Sequence, residues 1–417
     1  MVKIRFPPEW GVTKVPEAYR YLGFLDYFVL WSSLGIGLLV IAAGSFLVPY
    51  LSLTDAILVI ILGSVIGSLL LALVGYVGAR HGCTTMVSLR PSFGLFGSYL
   101  PSLLNVIQLV GWASFEIMIM ARSANTLSAS LGFGSFYFWV AFFTAVVILM
   151  ALGGPIVVVR KWLEKFAVWL VYGTAIWITY YVIFVKGIDL SIKAQGGLPF
   201  WLAVDLVIAM PISWAPLVSD YNRFARDANR CFLGTFLGYT VSNTWFYLLG
   251  ALLVLGFRTG DVVSAIAGIG YGWLALILIL VDETDNAFAD VYSASISTQN
   301  MLRRAKHWWL VLAYGLASGL LAALLPMEQY EGFLLFIGSV FVPLFGVLLV
   351  DYALRGKYGD EELFESRPGV GFKAILAWLA GVSLYLYITN FVPDIGASLP
   401  SLSLTALIYY LLKRYLG

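Results

Sequence analysis

Twelve apolar windows, each about 20 residues long and set apart by charged residues or by Pro and Gly clusters, leave this chain few possible folds. They fall at 26–48, 55–79, 98–121, 134–153, 163–186, 198–219, 232–256, 271–298, 308–326, 332–352, 371–390 and 397–415. A helix of that length crosses a hydrocarbon core about 30 Å thick, and lipid accepts only backbone whose polar groups are paired internally. Composition agrees, since 61% of the 417 residues are hydrophobic, 12% are charged, and mean hydropathy is +0.90. Such a chain is too apolar for a soluble domain of its length. The reading is an all-α integral membrane protein with twelve transmembrane helices.

An even number of spans puts both termini on one side, and the basic residues test that count. Only Arg122, Lys186, Lys193 and Arg258 of the 25 Lys and Arg fall on the other side. Those on the terminal side include Lys3, Arg5, Arg160, Lys161, Lys165, Arg303 and Arg304. Both termini are therefore expected in the cytoplasm, with the chain multi-pass in the plasma membrane. Residues 1–25 are charged and Pro-containing without an apolar core, which reads as a cytoplasmic tail and not a signal peptide. The net charge of +2 gives no signal of a nucleic-acid partner. Cys83 and Cys231 lack metal-ligand spacing and are expected to be unpaired thiols. His81 and His307 sit at loop edges, away from any catalytic arrangement.

Polar side chains at membrane depth are costly, so they mark where function is to be sought. The third window carries Asn105, Gln108, Trp112 and Glu116 at spacings of three, four and four, which stack on one helix face. Glu116 has no Lys or Arg close in sequence. It reads either as a protonated acid bonded to a neighbouring helix or as the acceptor for a planar polar ligand stacked on Trp112. In the sixth window Pro211 and Pro216 bracket Ser213 and Trp214, so that helix is expected to bend or break there, around packed side chains or around a binding cavity. Ser32, Ser33, Gly35 and Gly37 are a weaker counterpart in the first window.

The eighth window ends in "LVDETDNAFADVYSASIS". If the helix starts near Gly272, Glu283 lies about 17 Å along it, close to the midplane. Asp282, Asn286, Ala289, Asp290, Ser293 and Ser297 then form one small, polar, inward stripe flanked by Glu283 and Asp285. The competing reading ends the helix at Val281 and leaves the acids in cytoplasmic water.

These residues resemble the nucleobase cation symporter family, which includes cytosine, purine, uracil, allantoin and hydantoin permeases. The resemblance runs through "VPEAYRYLGFLDYFVLW", "LRPSFGLFGSYLPSLLNVIQLVGW", "SWAPLVSDYNRF" and "GSVFVPLFGVLLVDYALR" and covers most of the chain in order. It implies a five-plus-five inverted repeat with broken first and sixth helices plus two C-terminal helices. The corresponding boundaries here are 26–197, 198–356 and 357–417. It implies substrate contacts from Trp112, which would stack on the ring, Glu116 one turn later, and Trp214 as a second aromatic. Ser213, Gly37 and Asn286 join them at the broken helices. Glu116 departs from an amide common in relatives, and an anionic acceptor would favour cytosine, adenine or guanine.

By the same analogy a coupling cation would lie near Ser33, Ile36 and Gly37 of the first helix and Glu283, Thr284 and Asp285 of the eighth. Relatives place hydroxyls where this chain has "DETDN". The ion is sodium or a proton, with no other metal or cofactor. The expected function is import of a nucleobase by cation symport with alternating access, in a monomer surrounded by the lipid bilayer. Carriage of a thiamine precursor, allantoin or a nucleoside is the alternative within the class. A membrane-embedded enzyme finds no nucleophile or metal motif, and a passive channel needs no tryptophan pair around an acid.

Overall fold

The computed structural model describes residues 10–129, 131–153, 168–189, 194–324, 326 and 329–415. The start of the fifth window at 163–167 and Lys3, Arg5, Arg160, Lys161, Lys165 and Lys193 lie outside them. Seven helices among the described residues are long and apolar enough to cross a membrane by themselves. They are the second (Leu53–His81), third (Tyr99–Ala129), fourth (Phe136–Gly153), fifth (Val168–Lys186), seventh (Ala228–Phe257), tenth (Tyr330–Arg355) and eleventh (Phe372–Phe391). The first span is a bent pair, Phe24–Ser33 and Leu38–Ser45, with 59° between its halves.

The remaining spans depart from the simple pattern for visible reasons. The sixth is divided into Phe200–Trp214 and Val218–Asn222 around Pro216, which has no N–H to continue the helix. The eighth, Gly272–Met301, is 30 residues long and carries the acids. The ninth, His307–Ala322, is shorter at 16 residues, and the twelfth is Ser398–Tyr415. Because the eighth helix continues to Met301, its acids are not in a cytoplasmic loop, and the reading that ends it at Val281 is excluded. The expected short element before it is the helix Val262–Ala267, whose N-terminus Asp261 caps through Val263 N–H and Ser264 N–H.

Packing places the site. The third and eighth helices run against each other, the seventh lies along the first and second, and the eleventh and twelfth cover the tenth. Glycines allow the close approaches, as a Cβ on Gly250 would stand 1.9 Å from the Ile41 carbonyl oxygen and one on Gly44 2.0 Å from that of Tyr247. The first span thus meets the seventh helix backbone to backbone, the use membrane helices make of small residues. Cys83 and Cys231 are buried and unpaired, and burial pushes the Cys83 thiol up to about 12, an unreactive state.

From Trp10 onward the N-terminal segment is laid against the helix ends. Trp10 packs edge-on against Phe224 at 5.8 Å, Arg223 donates to the Gly11 carbonyl at 2.6 Å, and Leu22 pairs with the backbone around Ala225.

Candidate substrate and ion site

Both breaks are held by side chains from other helices. At the sixth-helix break, Gln108 Nε2 donates to the Ser213 carbonyl at 2.9 Å and to Asn105 Oδ1 at 2.8 Å. Asn105 Nδ2 in turn reaches the Pro216 carbonyl at 3.5 Å and Ser297 Oγ at 2.8 Å. The lower half of the third-helix polar face therefore supplies hydrogen bonds that the proline-interrupted backbone lacks. Ser213 turns its hydroxyl back to the Met210 carbonyl at 2.6 Å. Trp214 is buried edge-on against Trp31, with centroids 6.2 Å apart.

At the first-helix break, the eighth helix provides the partners. Glu283 Oε2 accepts from Leu38 N–H at 2.8 Å, so a carboxylate caps the N-terminus of the second half-helix, where the backbone dipoles favour negative charge. Asn286 Nδ2 donates to the Ile36 carbonyl at 2.9 Å, and Ser33 Oγ donates to Asp282 Oδ1 at 2.7 Å. A Cβ on Gly37 would meet Glu283 Oε2 at 2.8 Å, so a larger residue there would displace the carboxylate that caps Leu38. Glu283 Oε1, Asp282 Oδ2 and both Asp285 carboxyl oxygens are buried without a hydrogen-bond partner among the described residues.

Thr284 is a correction. Its hydroxyl donates to the Val281 carbonyl of its own helix at 2.7 Å, and its side chain lines an apolar groove with Trp139, Phe142 and Leu280. One residue of helical rotation carries it away from the first-helix break, so it does not join Ser33, Ile36 and Glu283 there.

The upper half of the third-helix face faces other acids and rings. Glu116 is 3% exposed and lies within electrostatic reach of Asp290 of the eighth helix, itself 2% exposed. Trp112 meets Tyr330 and Phe333 of the tenth helix edge-on at 5.6 and 5.4 Å, and its indole N–H has no partner among the described residues. Tyr330 donates to the Leu39 carbonyl at 3.2 Å, tying that aromatic wall to the first span. Tyr239 lies beside Trp214 and within electrostatic reach of both Glu116 and Asp290.

A family model described as a permease for cytosine/purines, uracil, thiamine and allantoin matches residues 14–412. The chain belongs to this permease family. Similar proteins include the cytosine permease of Escherichia coli strain K12, 25% identical over 354 residues that cover 82% of this permease and 81% of that one. A putative purine-cytosine permease of Bacillus subtilis strain 168 is 24% identical, covering 92% of this chain and 87% of its own. In fold the permease matches Mhp1, a nucleobase-cation-symport-1 family transporter in a closed conformation with bromovinylhydantoin bound. The TM-score is 0.84 at 17% identity, over 98% of this chain and 95% of that one. The inward-facing conformation of Mhp1 matches at 0.81. The architecture is thus the five-plus-five inverted repeat with two added C-terminal helices, in a transporter and not an enzyme.

Three contributors to this permease's site were not among the expected binding or coupling residues, although Asp282 and Asp290 were read onto the inward stripe of the eighth helix. Asp290 stands four residues after Asn286 on the same stripe, a signal that could have paired it with Glu116. Asp282 likewise lay on the stripe without an assigned partner. Tyr330 had no local signal, because only packing of the tenth helix brings it to Trp112.

Proposed function

We propose that this permease imports an amino-bearing nucleobase, cytosine or an aminopurine, by cation symport across the plasma membrane, with both termini cytoplasmic and the monomer as the working unit. The observation that carries the reading is the pairing of Trp112 with Glu116 on one turn of the third helix, with an indole N–H and a carboxyl oxygen both buried and unpartnered. A ring stacked on Trp112 would present its amino hydrogens to Glu116, with Trp214 as the second aromatic. The resemblance to cytosine and purine-cytosine permeases supports the substrate class. Gly37, Ser213 and Asn286 shape the chamber at the two breaks. Ser33, the Ile36 carbonyl, Glu283 and Asp285 form the coupling region, which takes up sodium or a proton. The repeats divide at 26–197 and 198–356, with 357–417 outside them. Substrate and ion bound together favour closure more than either alone, which couples import to the ion gradient.

Base–aromatic stacking is worth about 1–3 kcal/mol. Trp112→Ala should therefore weaken cytosine or adenine binding roughly 10-fold or more, read by thermal shift with a panel of nucleobases. Equal stabilisation of wild type and variant would overturn the site. Uptake into proteoliposomes under an imposed sodium or pH gradient tests symport, and no response to either gradient would overturn it.

A further inference from the structure

We infer that a cavity of about 310 Å³ between the N-terminal segment and the end of the eighth helix is a binding site for a phosphate group, held by Arg90 and Arg303. Trp10, Val12, Gln299 and Phe364 complete its walls. Its volume is at the lower end of the range for ligand pockets, about 300–1,000 Å³. The site is separate from the substrate chamber and does not depend on which substrate is carried.

Arg90 precedes the third helix and is 2% exposed. Of the five N–H donors on a guanidinium, three are in use. Nε and Nη2 donate to Asn300 Oδ1 at 2.9 and 2.7 Å, and Nη1 donates to the Leu363 carbonyl at 2.7 Å. Asn300 is itself fixed, because its Nδ2 donates to Ser98 Oγ at 3.0 Å and to Ser102 Oγ at 2.9 Å. Every one of these partners is neutral. They set the direction of the guanidinium without compensating its charge, and they leave two N–H groups unused on a side chain that lines the cavity.

The charge around Arg90 is of the wrong sign for a structural ion pair. Burial, followed by the neighbouring Arg303 cation, pushes Arg90 down to about 10, and no carboxylate acts on it. Acids nearby on this face are committed to other cations, Asp360 to Lys14 and both Asp351 and Glu362 to Arg355. Arg223, the other buried arginine among the described residues, is a contrast. It has Asp220 within electrostatic reach, and it donates to the Gly11 and Asp220 carbonyls and to Tyr292. A buried cation without a counter-charge is costly, and a second cation beside it adds repulsion. One anion between Arg90 and Arg303 removes both costs. A phosphate monoester carries about −1.5 to −2 charges near pH 7, enough to offset the pair, and its oxygens match the arginine fork. Chloride offers one charge and no such geometry. Arg303 is exposed, so the anion reaches the cavity from solvent.

The test is calorimetric titration of the purified full-length protein with inorganic phosphate at constant ionic strength. Wild type should bind phosphate with a dissociation constant of about 1 mM or below, and chloride should not displace it. Arg303→Gln removes an exposed cation and should weaken phosphate binding about tenfold or more, with an unchanged thermal midpoint in phosphate-free buffer. Arg304→Gln, an exposed neighbour outside the cavity lining, should change the affinity within about twofold. Arg90→Gln should abolish binding, and if that variant fails to fold, the comparison of Arg303→Gln with Arg304→Gln decides. Two competitors identify what carries the phosphate group. Displacement by adenosine monophosphate assigns it to a soluble ester, whereas loss of the phosphate heat in nanodiscs of phosphatidylcholine with phosphatidic acid assigns it to a lipid headgroup. No heat at roughly 10 mM phosphate, displacement by chloride, equal affinity in wild type and Arg303→Gln, or an equal loss in Arg304→Gln overturns the site.

Discussion

At the sixth-helix break the freed carbonyls of Ser213 and Pro216 are met by amides, Gln108 and Asn105 of the third helix. At the first-helix break the Leu38 N–H and the Ser33 hydroxyl are met by carboxylates, Glu283 and Asp282 of the eighth, with Asn286 on the Ile36 carbonyl. An amide has the same charge at every pH and in every salt. A carboxylate changes its hydrogen bonding when it gains a proton or a cation. The sixth break is thus a fixed frame for the aromatic side of the chamber. The first break is a joint held by Glu283 and Asp282, whose hydrogen bonding would change with a bound proton or cation, the property a coupling site would need.

The largest effect should come from removing the carboxylate of that joint. Glu283→Leu strands the buried Leu38 N–H and loses a charge-assisted hydrogen bond, a cost of about 2–3 kcal/mol. It should lower the thermal midpoint and abolish uptake. Glu283→Gln keeps an oxygen to accept from Leu38, so it should fold within about 1 kcal/mol of wild type and bind substrate, yet lose the response to an imposed ion gradient. A Gln variant with full gradient response would make Glu283 a helix cap alone.

The opposite break supplies the control. Gln108→Leu leaves the Ser213 carbonyl unpaired and should cost about 1–2 kcal/mol. Because no titrating group is lost, the cost should be the same at acid and alkaline pH and at low and high sodium. A strongly pH-dependent loss, measured by denaturation at two pH values, would erase the distinction between the breaks.

Much of this contrast was legible in the sequence, and the part that was not has a physical cause. Pro216 announces a break because a missing N–H is a local property, although the break falls after Trp214 and not around it, with Pro211 accommodated inside Phe200–Trp214. The stripe from Asp282 to Ser297 announces an inward face because 3.6-residue periodicity is local too. The seventh helix's glycine approaches and the tenth helix's Tyr330 are tertiary facts that no spacing encodes. Thr284 shows the limit most clearly. Its hydroxyl matched the chemistry of an ion ligand, but a neighbour in sequence on a helix is rotated by about 100°, and that rotation turns Thr284 into the groove with Trp139. Asp290, four residues after Asn286, does lie on the inward face that its spacing predicts, but that Glu116 of the third helix stands near it is a tertiary fact.

The smallest effect separates the two roles of the joint. Ser33 donates to Asp282 at 2.7 Å, and hydrogen bonds between membrane helices contribute about 0.6 kcal/mol on average. Ser33→Ala should therefore change the thermal midpoint little. Asp282 keeps one oxygen that already lacks a partner, so the deletion frees a second acceptor without stranding a donor. If the carboxylates only brace the broken helix, uptake should follow stability and remain near wild type. If they hold the coupling ion with the Ser33 oxygen, the sodium or proton concentration for half-maximal uptake should rise roughly threefold, the equivalent of about 0.6 kcal/mol. A shifted ion dependence with an unshifted midpoint is a result that bracing cannot produce, while an unshifted ion dependence would move Ser33 from the ion site to the scaffold.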